Sequence, residues 1–277
     1  MADKKAAAKG GAKVAAKIAA KGAAAIPVGL QLYSVRKECQ TDEGRNLPNV
    51  LAAVAKMGYA GVEFAGYYGW SAADIRRMLD DNGLNCCGAH IGIETMLGDE
   101  LERTVEFHRT IGNRFLIVPG LRPEYIESPA AWRRTGELFN QIARRLAPHG
   151  MRTGYHNHVV EFQPLDGELP WRIFRDATRG QVVMQFDVGN CMAGGGDPVE
   201  MLKLCGGRAA TVHLKEHGGS SEAVIGEGVA PWKELLELIG TTARAEWQII
   251  EHEREALPPL VCVDRCLKTL RRMLAEL

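Results

Sequence analysis

From Ile26 onward, short β-branched apolar runs alternate with longer stretches whose apolar side chains recur at helical spacing, and polar or glycine-bearing loops separate them. The runs predict strands at Val28–Tyr33, Gly61–Phe64, Cys86–His90, Phe115–Val118, Arg152–His156, Val182–Asp187, Thr211–Leu214 and Gln248–Glu251. Helices are predicted at Leu47–Met57, Ala72–Asp81, Leu101–Ile111, Ala130–Ala147, Pro170–Asp176, Pro198–Leu204, Pro231–Ile239 and Pro258–Ala275. In the first of these, Leu47, Val50, Leu51, Val54 and Met57 fall on one side of a 3.6-residue turn. Prolines near helix starts and glycines after helix ends agree with the chemistry of helix termini. Eight strand–helix units in strict alternation imply parallel strands joined by right-handed crossovers, enough to close a (β/α)8 barrel. A doubly wound, dinucleotide-binding sheet would place G-x-G-x-x-G after its first strand, where this chain has GLQLYSVR. The expected fold class is therefore α/β, a single-domain TIM barrel over residues 26–277.

Residues 1–25 follow another pattern. They are almost wholly Ala, Lys and Gly, with six lysines against Asp3, a formal charge of +5 in a chain whose net charge is zero. Gly10, Gly11 and Gly22 interrupt any helix, so a basic tail, disordered or partly helical, is expected. No apolar core of a secretory signal is present. Weak, salt-dependent contact with nucleic acid is the one partner this tail suggests. The remaining body carries −5, which argues against a phosphate backbone as substrate. With 25% charged and 46% hydrophobic residues the chain has an ordinary globular composition, and no run of 18 apolar residues predicts a membrane span. Seven cysteines, Cys39, Cys86, Cys87, Cys191, Cys205, Cys262 and Cys266, form no C-x-x-C pair; reduced thiols in a cytoplasmic protein are expected.

In such a barrel, chemistry sits at the C-terminal ends of the strands. Those ends carry Gln31 and Tyr33, Glu63, His90, His156 and His158, Gln185 and Asp187, His213 and Lys215, and Glu251. Residues two apart share a face, so Gln185 with Asp187, His213 with Lys215 and His156 with His158 can point inward together. Asp187, His213 and Glu251 stand at matching depths of three neighbouring strands. Carboxylates that deep need a counter-charge, and a divalent cation bound by oxygen and imidazole supplies one; such donors suit Mn2+, Mg2+ or Co2+ better than a structural zinc. The bland alternative, an ion-pair network around Lys215, leaves one lysine to neutralise Asp187, Glu251 and Glu63.

Taken in order, VGLQLYSVR (28–36), GYAGVEF (58–64), GYHNHVVEF (154–162), FDVGN (186–190), VHLKE (212–216), IGEG (225–228) and IIEHE (249–253) resemble the sugar isomerase/epimerase superfamily. Its members share a xylose isomerase-like barrel and include endonucleases of the AP endonuclease 2 type. The resemblance spans roughly Ile26 to Leu277. It implies one catalytic divalent metal, Mn2+ in first place with Mg2+, Co2+ or Zn2+ as alternatives, held by Glu, Asp, His and Glu from strands five to eight. Matching positions supply Asp187, His213 and Glu251. On strand five the glutamate position holds His156, while Glu161 follows five residues later; either could be the fourth ligand, and strand alternation favours His156. The trinuclear endonucleases need further ligands where this chain has Asn190 and Ser220-Ser221-Glu222, which makes DNA repair a poor second.

The implied activity is isomerisation or epimerisation of a keto or hydroxy sugar through an enediolate, the alternative being β-elimination from a 3-keto sugar or glycoside. The catalytic candidates are Glu161, Glu251, His156 and Lys215, with Lys215 stabilising oxyanion charge. Gln31, Tyr33, Glu63, His90, His158, Gln185 and Asn190 are the candidate substrate-binding residues. Tyr67, Tyr68 and Trp70 could stack on a sugar or simply pack a loop. His108, His149 and His217 are expected at the surface. A small-molecule sugar is the expected partner, with no membrane contact and an oligomer allowed; a non-catalytic sugar-binding barrel is the reading from a different class.

Overall fold

In the computed structural model, which describes residues 22–41 and 45–277, eight parallel strands close a barrel in chain order. They are β1 (Val28–Gln31), β2 (Gly61–Ala65), β3 (Asn85–His90), β4 (Phe115–Val118), β5 (Arg152–His156), β6 (Val183–Asp187), β7 (Thr211–Leu214) and β8 (Trp247–Ile250). The expected (β/α)8 barrel is thus what the chain forms. Alternation along each strand splits the core in two. On β4, Leu116 and Val118 join the large cluster between strands and helices, while Phe115 and Ile117 form a separate cluster with Val183 and Ala210, against which Trp247 packs. This second cluster fills the bore. Glycine on a neighbouring strand makes room for it: a Cβ at Gly154 would lie 2.9 Å from Ile117 Cδ1.

The enclosing helices bury one apolar stripe each. Helix Pro129–Leu146 starts at Ser128, whose hydroxyl accepts the Ala131 N–H at 3.1 Å, and buries Trp132, Phe139, Ile142, Ala143 and Leu146. Trp132 and Phe139 meet Tyr155 and Phe174 edge-on, and each such aromatic contributes about 2–3 kcal/mol through its burial.

Three local features differ from expectation. The first strand stops at Gln31, because its side-chain oxygen accepts the Tyr33 N–H at 3.0 Å and turns the chain into a 3-10 helix, Leu32–Val35. Tyr33 is therefore off the strand and 43% exposed, with the Arg36 guanidinium 4.0 Å above its ring. The folded part begins before Ile26: residues 22–25 are helical, Ala23 is buried, and its carbonyl accepts from Gln248 Nε2 at 2.7 Å. The rest of the expected tail, and its contact with nucleic acid, lies outside the described residues. His108 is buried rather than at the surface, hydrogen-bonded to Asn113 and Tyr67. Among the described residues no helix is long and apolar enough to cross a membrane.

Candidate active site

Four side chains converge where the last four strands open. His156 ends β5, Asp187 ends β6 beside His213 of β7, and Glu251 follows β8; their ligand-type atoms all lie within 4.8 Å of one another. All four are buried. Asp187 Oδ1 accepts the Asn190 N–H at 2.6 Å and so caps the short helix Val188–Ala193, but among the described residues neither Asp187 Oδ2 nor His156 Nδ1 has a hydrogen-bond partner. A buried, unsatisfied polar atom costs about 1–3 kcal/mol, so two in one cluster of carboxylates and imidazoles fit a site made for a cation. The donor set of two imidazoles and two carboxylates suits a divalent ion of the Mn2+ or Zn2+ kind.

The electrostatics of the protein alone point the same way. Burial pushes the Asp187 carboxyl up to about 7, the adverse effect of an ion with too little counter-charge. Burial also disfavours charge on His213, yet Glu63 and Glu251 outweigh it and push this imidazole up to about 10. Glu63 is held well below the usual carboxylate range, because His90 and His213 overcome its burial. His156 is pushed down by burial and by the neighbouring His213 and His90, which keeps it neutral and able to donate a lone pair. Lys215 is raised despite burial by Asp187, Glu251 and Glu253.

Above the cluster lies a cavity of about 530 Å³, a volume suited to a small ligand. Of the expected substrate-binding residues, Gln31, Tyr33, His90, His158 and Asn190 line it, together with Lys215 and Glu251. Lys215 Nζ donates to Asn190 Oδ1 at 3.1 Å, to Glu251 Oε1 at 3.3 Å and to Glu253. Glu63 and Gln185 lie beneath the cavity, fully buried and bonded to each other at 2.8 Å. Glu161 is set apart from the four-residue cluster. Its oxygens accept from Tyr155 Oη at 2.6 Å and from the His158 N–H at 2.7 Å, which fixes the turn after β5. Tyr67 packs on Phe64 and Phe107, and neither it nor Tyr68 nor Trp70 lines the cavity.

Three residues escape the sequence reading. Glu253 lines the cavity, and the two-residue spacing from Glu251 was its signal. Asn157 brackets Asp187, accepting its N–H at 2.9 Å and donating to its carbonyl at 3.1 Å. Glu216 clasps the loop after β7, accepting from His217 N at 2.9 Å, Gly226 N at 2.7 Å, Ala230 N at 3.2 Å and Trp232 Nε1 at 2.6 Å. Nothing in local spacing announces the last two.

Residues 51–272 match the model of the xylose isomerase-like TIM barrel, and the chain belongs to that family of enzymes. The rhizopine catabolism protein MocC of Rhizobium meliloti is 25% identical over 271 residues, covering 83% of this chain and 82% of that protein. Inosose dehydratase of Erwinia tasmaniensis is 24% identical over 246 residues, covering 74% of this chain and 82% of that enzyme. Among solved structures, a sugar phosphate isomerase/epimerase of Parabacteroides distasonis superposes with a TM-score of 0.74 at 22% identity, covering 89% of this chain and 96% of that one. The IolI protein, solved with a bound zinc atom, gives 0.69 at 15% identity, covering 91% and 99%.

Proposed function

We propose that this enzyme removes a proton next to the carbonyl of a keto sugar or keto cyclitol, forming an enediolate, and completes the reaction by expelling a β-hydroxyl as water. The observation that carries this reading is the pair of unpartnered buried ligand atoms, His156 Nδ1 and Asp187 Oδ2, beneath a cavity that Lys215 also lines. His156, Asp187, His213 and Glu251 would hold one divalent metal, for which we favour Mn2+; when bound it polarises a carbonyl and stabilises negative charge on its oxygen. Lys215, kept protonated by its three acceptors, adds a second positive charge toward the same oxyanion. Burial keeps the His158 imidazole neutral, so it can accept the proton from carbon. Glu251 and Glu253 follow β8, three strands further round the ring, and face the cavity from another side. In the elimination the C–H pair becomes the new double bond, the C–O bond breaks, and the departing hydroxyl takes a proton to leave as water. Glu161, with both oxygens engaged, braces the turn that carries His158 instead of acting as base.

Dehydration is favoured as the outcome because inosose dehydratase is matched over 82% of its length. Epimerisation or isomerisation is the second reading, supported by proton-accepting groups on two sides of one cavity. The seven cysteines are all free and buried, which suits the cytoplasmic location we assign. The deciding experiment incubates the Mn2+-loaded enzyme with a panel of inososes and ketoses in D2O. Deuterium at the carbon next to the carbonyl with loss of water is expected; deuterium with retention of water identifies an epimerase or isomerase. Ligand-induced stabilisation without any exchange would leave a sugar-binding barrel and refute catalysis.

A further inference from the structure

We propose that Glu63, buried beneath the cavity, is a positioning residue that holds His213 with its ring proton on Nε2 and so aims Nδ1 at the metal; the metal assignment above is presupposed. The sequence builds this placement in two steps. Alternation along β2 turns Glu63 into the bore while Val62 faces the helices. The pairing of β2 with β3 then shifts, Val62 lying opposite Cys86 but Glu63 opposite Gly88, so that an extra residue bulges at Cys87. Glycine is needed at the new partner position: a Cβ at residue 88 would collide with Glu63 Oε1.

So placed, one carboxylate collects side chains from four other strands. Glu63 Oε2 accepts from Gln31 Nε2 at 2.7 Å, stands 2.6 Å from His213 Nε2 and lies 3.2 Å from His90 Nε2. Glu63 Oε1 accepts from Gln185 Nε2 at 2.8 Å, and the same amide nitrogen is held 2.8 Å from Thr211 Oγ1. Glu63 is fully buried and lines no part of the cavity, so it cannot touch substrate. The other edge of the His213 ring faces the ligand carboxylates, with Nδ1 2.6 Å from Glu251 Oε2 and 3.9 Å from Asp187 Oδ2. An ionised carboxylate only accepts, so the nitrogen facing Glu63 carries a hydrogen; Nδ1 faces the ligand carboxylates, and a divalent cation held there would replace the proton on that side while Glu63 keeps the one on Nε2. Gln31 and Gln185 supply the donors that keep Glu63 from rotating away.

The test uses the full chain with Glu63→Gln, Glu63→Asp and Gly88→Ala, the last displacing the carboxylate from outside. Two readouts are taken: Mn2+ and Zn2+ affinity by chelator competition, and long-range 1H–15N spectra of the histidine rings in the Zn2+-loaded protein. The proposal expects a proton on His213 Nε2 in the parent, a mixed tautomer in Glu63→Gln, and metal affinity weaker by about 10–100-fold in all three variants. Thr211→Val, which removes the hydroxyl beside Gln185 and leaves Glu63 in place, should retain affinity. Unchanged affinity and an unchanged ring spectrum in the folded variants would overturn the proposal, as would an equal loss in Thr211→Val. Should the parent take up neither metal, the metal assignment fails and the orienting role with it, whereas metal uptake that is indifferent to all three variants overturns the orienting role alone.

Discussion

His108 makes a quantitative prediction about acid stability. It lies in helix Glu100–Thr110 and is 2% exposed. Asn113 Nδ2 donates to its Nδ1 at 2.9 Å, so the ring hydrogen sits on Nε2, 3.2 Å from Tyr67 Oη. A second proton would have to enter at Nδ1, against an amide donor and without water. Burial accordingly lowers the imidazole from 6.5 to about 4. Above 6.5 the ring is neutral whether the chain is folded or not, and it contributes nothing to pH dependence. As the pH falls, the unfolded chain takes up a proton that the native ring refuses, so stability drops until about pH 4. At ~1.4 kcal/mol per pH unit the full loss is about 3 kcal/mol, of which about 2 kcal/mol is reached by pH 5, against ~5–15 kcal/mol for a typical domain. Urea denaturation from pH 8 to 5 on the parent and on His108→Gln isolates this contribution from the carboxylates. The parent curve should fall more steeply by about 2 kcal/mol across that range. Parallel curves, or a His108 titration midpoint near 6.5 by NMR, would refute the reasoning.

Asp187→Asn and His213→Ala should each abolish turnover and weaken metal binding by at least about tenfold while leaving the far-ultraviolet circular dichroism unchanged. Because burial raises Asp187 from 3.8 to about 7, the stability of the metal-free protein falls as the pH rises between those values and the full loss is present at pH 8, so Asp187→Asn should melt higher than the parent there after chelation. Glu161→Gln should keep its metal and lose about 1–3 kcal/mol of stability as the bonds to Tyr155 and His158 weaken; metal loss equal to that of Asp187→Asn would make Glu161 a ligand after all. Lys215→Met should retain metal and lose about 10²–10³ in kcat, measured by deuterium exchange into the substrate.

Much of this architecture was legible because a short apolar run ending in a polar residue is both a strand and an address on the catalytic face. Alternation also identified the inward pairs Gln185 with Asp187 and His213 with Lys215. It specifies a face but not a depth, which is why Glu63 and Gln185, candidates for substrate contact on alternation alone, lie beneath the cavity. It also lapses where the strand ends: Glu161 sits in the 3-10 turn Val160–Phe162, so counting faces from His156 could not place its carboxylate. Tyr33 leaves the strand for the same reason, although it still lines the cavity. His108 carried its own signal, since Leu101, Val105 and His108 recur at helical spacing on the buried side. Residues 22–25 concealed theirs, because alanine and glycine look alike in a low-complexity run and in a tightly packed plug.

Glu216 directly follows Lys215, and its clasp has a consequence for how this enzyme can vary. The carboxylate staples both feet of the loop after β7, while Arg254 donates to the carbonyls of Gly218 and Ser220. Insertions within the exposed stretch of that loop, residues 219–222, would be absorbed there, because closing a longer loop adds little entropy cost. The ammonium next door would keep its aim. Ala223, Val224 and Ile225 anchor the span in the core, so the exposed stretch 219–222 is where the rim can be lengthened or recomposed without recalibrating the chemistry at the floor.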